Sequence, residues 1–185
     1  MFPWLRLLYT ALSFLSSKGK VDLLGTTIVR LRVWPNDLDF NRHVNNGRYL
    51  MLADIGRIHW FVKAGVLAAA RKRNAFPVVG DSIAKFRREL KAFQTFEIHS
   101  RLLGWDDRWG FIEHRFVRGG RVLGVVAIRG IFKGPEGPVK PQALMADLGF
   151  ALPSPPLPEW AHEFHRGSES LTSLLRGEEQ VHGLR

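Results

Sequence analysis

The sequence predicts one α+β domain in which an antiparallel sheet wraps around a single long helix. Three observations carry that expectation. Residues 47–64 read as a helix that is apolar on nearly every side, a pattern that fits a helix buried on several sides. Four strand-like runs follow in succession at 77–90, 95–105, 109–118 and 122–133, and such runs joined by short breaks predict a meander. With 185 residues, 45% of them apolar, the chain is long enough for one domain with a substantial core.

Residues 1–17 form an amphipathic pattern: Trp4, Leu5, Leu8, Ala11, Leu12 and Leu15 share one side, and Arg6, Thr10, Ser13 and Ser17 the other. The run is shorter than the roughly 20 apolar residues a bilayer span needs. It also lacks the strong basic region and small-residue cleavage site of a signal peptide. A helix lying on a membrane surface or docked on its own protein is expected. With its linker this segment occupies 1–24, the main domain 25–134 and an extension 135–185.

Residues 26–34 alternate, with Thr27, Val29, Leu31 and Val33 on one face and Arg30 and Arg32 on the other, which predicts a half-buried strand. Pro35-Asn36 ends it. Asn45 or Asn46 is placed to cap the long helix, and Gly65 to close it. A short helix is expected at 66–73. The strands that follow are separated at 91–94, 106–108 and 119–120, and Gly119-Gly120 is a hairpin turn pair. The Gly134-Pro135-Glu136-Gly137-Pro138 run is expected to end the compact part, with short helices following at 141–148 and 158–176.

Lys and Arg outnumber Asp and Glu by 27 to 17, a formal net charge of +10. That balance favours an anionic partner: nucleic acid, a phospholipid surface or a phosphorylated small molecule. No nucleic-acid motif or aromatic–basic platform accompanies it, so no nucleic-acid partner is expected. There is no cysteine, which removes thiol nucleophiles, Cys-ligated metals and disulfides. A cytoplasmic placement is expected, with 1–17 as the candidate membrane-surface contact.

The chemistry concentrates at 36–50. Asp37, Asp39, Asn41, His43, Asn45 and Asn46 crowd the mouth of the buried helix, where polar groups are costly unless they are used. The run Asp-Leu-Asp-x-Asn-x-His-x-Asn-Asn-x-x-Tyr between a strand and a buried helix resembles the hotdog-fold thioesterases. It is similar to the motif of plant acyl-carrier-protein thioesterases, whose working Asp, Asn and His correspond here to Asp39, Asn41 and His43. The Glu of their Arg-Arg-Glu run corresponds to Glu89 in Arg87-Arg88-Glu89. In the 4-hydroxybenzoyl-CoA thioesterase type, a single Asp stands at the place of Asp39 and a backbone amide at the helix start polarises the thioester. Phe86-Arg87-Arg88, Phe93-Gln94-Thr95-Phe96-Glu97 and the 101–108 run resemble the family around thioesterase superfamily member six. The resemblance spans about 29–132.

It implies hydrolysis of an acyl-CoA or acyl-carrier-protein thioester by a homodimer or tetramer, with no cofactor and no metal. Asp39 is then the base that activates water, or a nucleophile. His43 polarises the carbonyl, protonates the leaving thiolate or orients water. Asn41 fixes water or the carbonyl, unless it only stabilises the loop. Glu89 is expected on a strand facing the loop, as a second base or a partner to His43, unless it is a surface charge. The amides of Asn46 and Gly47 open the helix as an oxyanion site, with Asn45 and Asn46 alternatively serving as caps. Tyr49 touches the acyl group or packs in the core.

Four rival readings stand beside it. A hotdog dehydratase or hydratase would use a His with a carboxylate. A non-catalytic acyl-binding or membrane-associated protein would use only the scaffold. Gly80-Asp81-Ser82-Ile83-Ala84 resembles a nucleophile elbow, which requires a strand before it and a helix after it. A metal site among Glu97, His99, Glu113 and His114 lacks zinc spacing.

Overall fold

The computed structural model describes residues 20–181. The amphipathic segment expected at 1–17 lies outside the described residues. Among the described residues no helix is long and apolar enough to cross a membrane.

The chain opens with β1 (Thr27–Arg32) and a 3-10 turn (Pro35–Asp37), then enters α1 (Asn46–Lys63) and the short α2 (Val66–Lys72). Four long strands follow: β2 (Phe76–Phe86), β3 (Thr95–Trp105), β4 (Gly110–Arg118) and β5 (Arg121–Gly134). The chain closes with β6 (Gly137–Val139), α3 (Pro141–Asp147) and α4 (Glu159–Val181). Every strand pairing is antiparallel, in the order β1-β3-β4-β5-β2, with β6 added to the end of β5. The expected sheet around one helix is the one observed.

α1 lies against the inner face. Tyr49, Leu52, Ala53, Ile55, Trp60 and Phe61 are buried there with Ile98, Ile112, Phe116 and Val126 of the sheet. The helix comes very close at Gly56. A Cβ built there would stand 2.4 Å from Ser100 Oγ and 2.9 Å from Ile98 Cγ2. Ser100 and His114 are cross-strand partners, both fully buried and joined by a 2.8 Å hydrogen bond. The absence of a side chain at residue 56 lets α1 lie over this polar pair. Gly119 and Gly120 both have positive φ, 56° and 72°, as a tight two-residue hairpin requires.

Two expectations need correction. The strand begun near Pro77 stops at Phe86, short of Leu90. Arg87 and Arg88 both donate to the carbonyl of Leu123, so two residues oppose one and the ladder ends in a bulge. Nor does the compact part end at Gly134–Pro138. Those residues turn β5 back into β6, and α3 then contributes the buried Leu144 and Met145 to the main core.

Candidate active site

The polar segment is a small folded ladder rather than an irregular loop. The Asp39 amide donates to the His43 carbonyl at 2.9 Å, Leu38 bridges Val44, and the Asn45 amide donates to the Asp37 carbonyl at 2.9 Å. Arg42 closes the tip with φ 61°, and its backbone amide donates a hydrogen bond to the Asp39 carbonyl at 3.0 Å. The base is anchored twice. Asp37 is 5% exposed and accepts the Trp34 amide at 2.9 Å. Arg48 donates to the Asn36 carbonyl at 2.8 Å. On the far side the Val44 amide donates to the Leu90 carbonyl, and His43 bridges Lys91.

This frame holds Asp39 with its side chain 19% exposed. One carboxylate oxygen accepts the Asn41 amide at 2.9 Å. The other lies 3.3 Å from Nδ1 of His43. Asp39 stands two ladder steps from Asn45, about 7 Å along the strand direction, so the carboxylate sits near the start of α1.

The other expected residues divide. Asn41 is exposed and meets Asp39 through its backbone, as a turn residue does. Asn45 is the N-cap, its side chain accepting the Gly47 amide at 2.8 Å. The expected pair of open amides is thereby reduced: Gly47 is capped, and among the described residues the Asn46 amide donates to no acceptor. Tyr49 packs in the core, its ring 5.0 Å from that of Phe86 and 4.8 Å from that of Phe116, and burial pushes its phenol up to about 12. Glu89 is not on a strand. It follows the bulge that ends β2, its side chain is 53% exposed, and it pairs with Lys91 at 2.9 Å. Among the described residues, no hydrogen bond or ion pair joins it to Asp39 or His43 of the same chain.

The remaining alternatives separate on geometry. Gly80–Ala84 lies wholly inside β2, so the strand-to-helix turn of an elbow is missing. Alternation puts His114 on the inner face and Glu97, His99 and Glu113 on the outer one. Glu97 is held by Arg30 and His99, and Glu113 by Arg101 and Arg115. Among the described residues no group of three potential ligands converges.

A cavity of about 180 Å³ lies between the second half of α1 and the sheet, roofed by α3. Trp60, Phe61, Ile128, Phe132 and Leu144 are among its apolar walls, and Asp54 and Arg57 are the charged side chains lining it. Sequence reading missed where this cavity lies because Val139 and α3, which help to close it, lie beyond the Gly/Pro-rich run taken as the end of the domain.

The model of the thioesterase-like superfamily matches residues 33–163. The chain belongs to that superfamily. Protein THEM6 of Danio rerio is 36% identical over 114 residues, 62% of this chain and 56% of that protein. Thioesterase poxG of Penicillium oxalicum is 32% identical over 116 residues, 55% of this chain and 38% of that protein. The matched part spans 41% of the THEM6 protein of Xenopus laevis and 60% of that of Drosophila melanogaster. In three dimensions the probable thioesterase YbaW of Escherichia coli superposes with a TM-score of 0.62 at 19% identity, over 67% of this chain and 97% of that one. A probable thioesterase of Bartonella henselae gives 0.56 at 21% identity, over 63% and 98%. The architecture is the hotdog fold of those proteins.

Proposed function

We propose that this chain hydrolyses an acyl-CoA or acyl-carrier-protein thioester to a free acid and a thiol. The observation that carries this reading is Asp39: a shielded carboxylate, held on a rigid ladder beside His43 and close to the open end of α1. As general base, Asp39 takes a proton from water while the water oxygen attacks the thioester carbon. The oxyanion forms near the Asn46 amide and the positive end of the helix dipole. The C–S bond then breaks, and the proton that Asp39 took from water passes through His43 to the thiolate, which leaves both side chains as they began. Asp39 acting instead as nucleophile uses the same geometry and forms a mixed anhydride that water opens. Membership of the superfamily and the name of the poxG relative support hydrolysis over hydration.

The cavity supports an apolar acyl chain, but in one chain it lies far from Asp39. Asn46 and Arg57 are eleven residues apart on α1, about 16 Å along the axis. A second copy resolves this. β2 is an edge strand, and Phe76, Val79, Ile83 and Phe86 on it are exposed. Antiparallel pairing of two β2 strands sets the Pro77 end of one beside the Phe86 end of the other. Pro77, Val78 and Val79 line the cavity, while Phe86 packs on Tyr49 in the first turn of α1. Each cavity thus meets the helix start, and the Asp39 ladder, of the other copy. The carboxylate of one chain then works with the acyl pocket of its neighbour.

Saturated acyl-CoA substrates of graded length, assayed by thiol release on wild type and Asp39→Ala, test the function. Turnover by wild type and its loss in the variant are expected. A wild type that binds acyl-CoA without releasing thiol would establish the non-catalytic acyl-binding reading instead.

A further inference from the structure

The apolar cavity has one polar corner. Asp54, Arg57 and Phe61 share a flank of α1 at helical spacing. The Phe61 ring lies 5.4 Å from that of Phe132 on β5, so this flank faces the β5 and β2 side of the sheet. Asp54 and Arg57 are the charged side chains among the cavity walls. The walls also divide by exposure. Trp60, Phe61, Leu144 and Met145 are 5% exposed or less, whereas Val79 of β2 is 41% exposed and the Asp54 side chain 48%. The cavity therefore has a closed, apolar inner end and an open outer end between Asp54 and the β2 edge.

Arg57 belongs to the outer end, yet its side chain is only 13% exposed. A guanidinium carries five N–H donors. Arg57 gives Nη2 to Oδ1 of Asp54 at 2.7 Å, and among the described residues it makes no other hydrogen bond. Covered donors without acceptors are costly. His114 is close enough for the Arg57 charge to act on it. It shares the inner face of β4 with Ile112, a cavity wall. His114 is fully buried, and its Nε2 has no partner, so the two side chains do not relieve one another. This side of the cavity carries hydrogen-bonding capacity that the described protein does not use.

We propose that the acyl group held in this cavity carries a neutral oxygen near its thioester end, a hydroxyl or a keto group, and that Arg57 donates to it. The inference rests on the hydrolysis proposed above and names its substrate class. Volume sets the tail. A cavity of about 150 Å³ accepts benzene, so about 180 Å³ takes roughly six to eight carbons. Exposure sets the direction. The apolar tail fills the closed inner end, which leaves the carboxyl side of the acyl group at the outer end beside Arg57. Charge sets the kind of oxygen. Asp54 and Arg57 already balance, and a carboxylate on the acyl group would add an uncompensated negative charge next to Asp54. A hydroxyl or keto oxygen accepts an N–H and adds no charge. Arg57 acts here as a specificity residue, and the chemistry stays with Asp39.

Thiol release from octanoyl-CoA and its 3-hydroxy, 3-oxo and 8-hydroxy derivatives tests this on the full chain. In wild type, kcat/KM for the 3-hydroxy or the 3-oxo substrate exceeds that for octanoyl-CoA about tenfold or more, and the two arms tell hydroxyl from keto. The 8-hydroxy substrate sends its oxygen into the apolar inner end and falls below octanoyl-CoA. Arg57→Met keeps the stem and removes the donors, so the preference for a 3-oxygen disappears. Arg57→Lys keeps a donor and retains part of it, which serves as the second variant if circular dichroism shows Arg57→Met to be unfolded. A wild type that treats octanoyl-CoA and both 3-oxygenated substrates alike overturns the proposal and leaves hydrolysis standing. A preference that survives in Arg57→Met also overturns it, because the oxygen is then read elsewhere. If no substrate releases thiol, hydrolysis falls, and calorimetric titration with the same four thioesters decides the pocket. Tighter binding of a 3-oxygenated thioester, lost in Arg57→Met, upholds the Arg57 site, and equal binding overturns it as well.

Discussion

The Oδ2 atom of Asp39 lies 3.3 Å from Nδ1 of His43, across a turn whose backbone ladder fixes both residues. Asp39→Asn retains an oxygen able to accept the Asn41 amide, which keeps the turn, but removes the base. A kcat loss of about 10²- to 10⁴-fold is expected, with a melting temperature within a few degrees of wild type. Thiol-release kinetics alongside a thermal melt check both. A variant that keeps wild-type kcat would remove Asp39 from the chemistry.

Antiparallel pairing of two β2 strands sets Asp39 of one chain against the cavity of the other, which predicts complementation between chains. Asp39→Ala and the cavity-filling Ile131→Trp are each expected to be poorly active. Mixing them under conditions that exchange subunits restores activity, because each mixed pair contains one site with both the carboxylate and an open pocket. Mixtures no more active than the sum of the separate variants would confine each Asp39 to the pocket of its own chain.

Gly56 sits where α1 meets Ser100 and Ile98. In Gly56→Ala the new methyl would stand 2.4 Å from Ser100 Oγ, so helix or sheet must shift. The better helix propensity of Ala gains at most about 1 kcal/mol. Overpacking costs about 1–3 kcal/mol or more, so net destabilisation is expected in urea unfolding. A stabilised variant would show that the interface yields freely.

Two buried histidines predict acid sensitivity. Burial holds His114 down to about 3 and His59 down to about 4, from an ordinary 6.5, and the positive charges of Arg57 and Lys63 respectively add to the effect. Below pH 6.5 the unfolded chain binds protons that the folded one refuses. Stability is therefore full above pH 6.5 and declines as pH falls toward 4 and then 3. The slope approaches about 1.4 kcal/mol per pH unit for each histidine. Melting temperatures measured from pH 7.5 to 4 should show this fall. A flat profile would mean that these imidazoles are protonated in the folded protein.

Much of the fold was legible because each element carries its own period. The nearly all-apolar 47–64 stretch, the alternating strands and the Gly119-Gly120 turn all announce themselves locally. The strand end at Phe86 did not. It depends on Leu123, a residue 37 positions later, accepting two amides at once, and Glu89 was misplaced with it. The site was legible as a cluster but not as roles. Asp37 and Asp39 look alike in the sequence, yet the ladder buries one as a support and leaves the other part-exposed beside His43.

The amino-acid sequence by itself determined the α+β layout, the position of the polar segment before α1 and the absence of cysteine thiol chemistry, since these follow from periodicity, residue type and composition. Tertiary structure alone decided that the apolar cavity lies beside the second half of α1 rather than at its start, and that β2 stops at Phe86 and leaves Glu89 beyond it. Those facts arise from contacts between residues far apart in the chain. No local pattern encodes where a strand loses its partner.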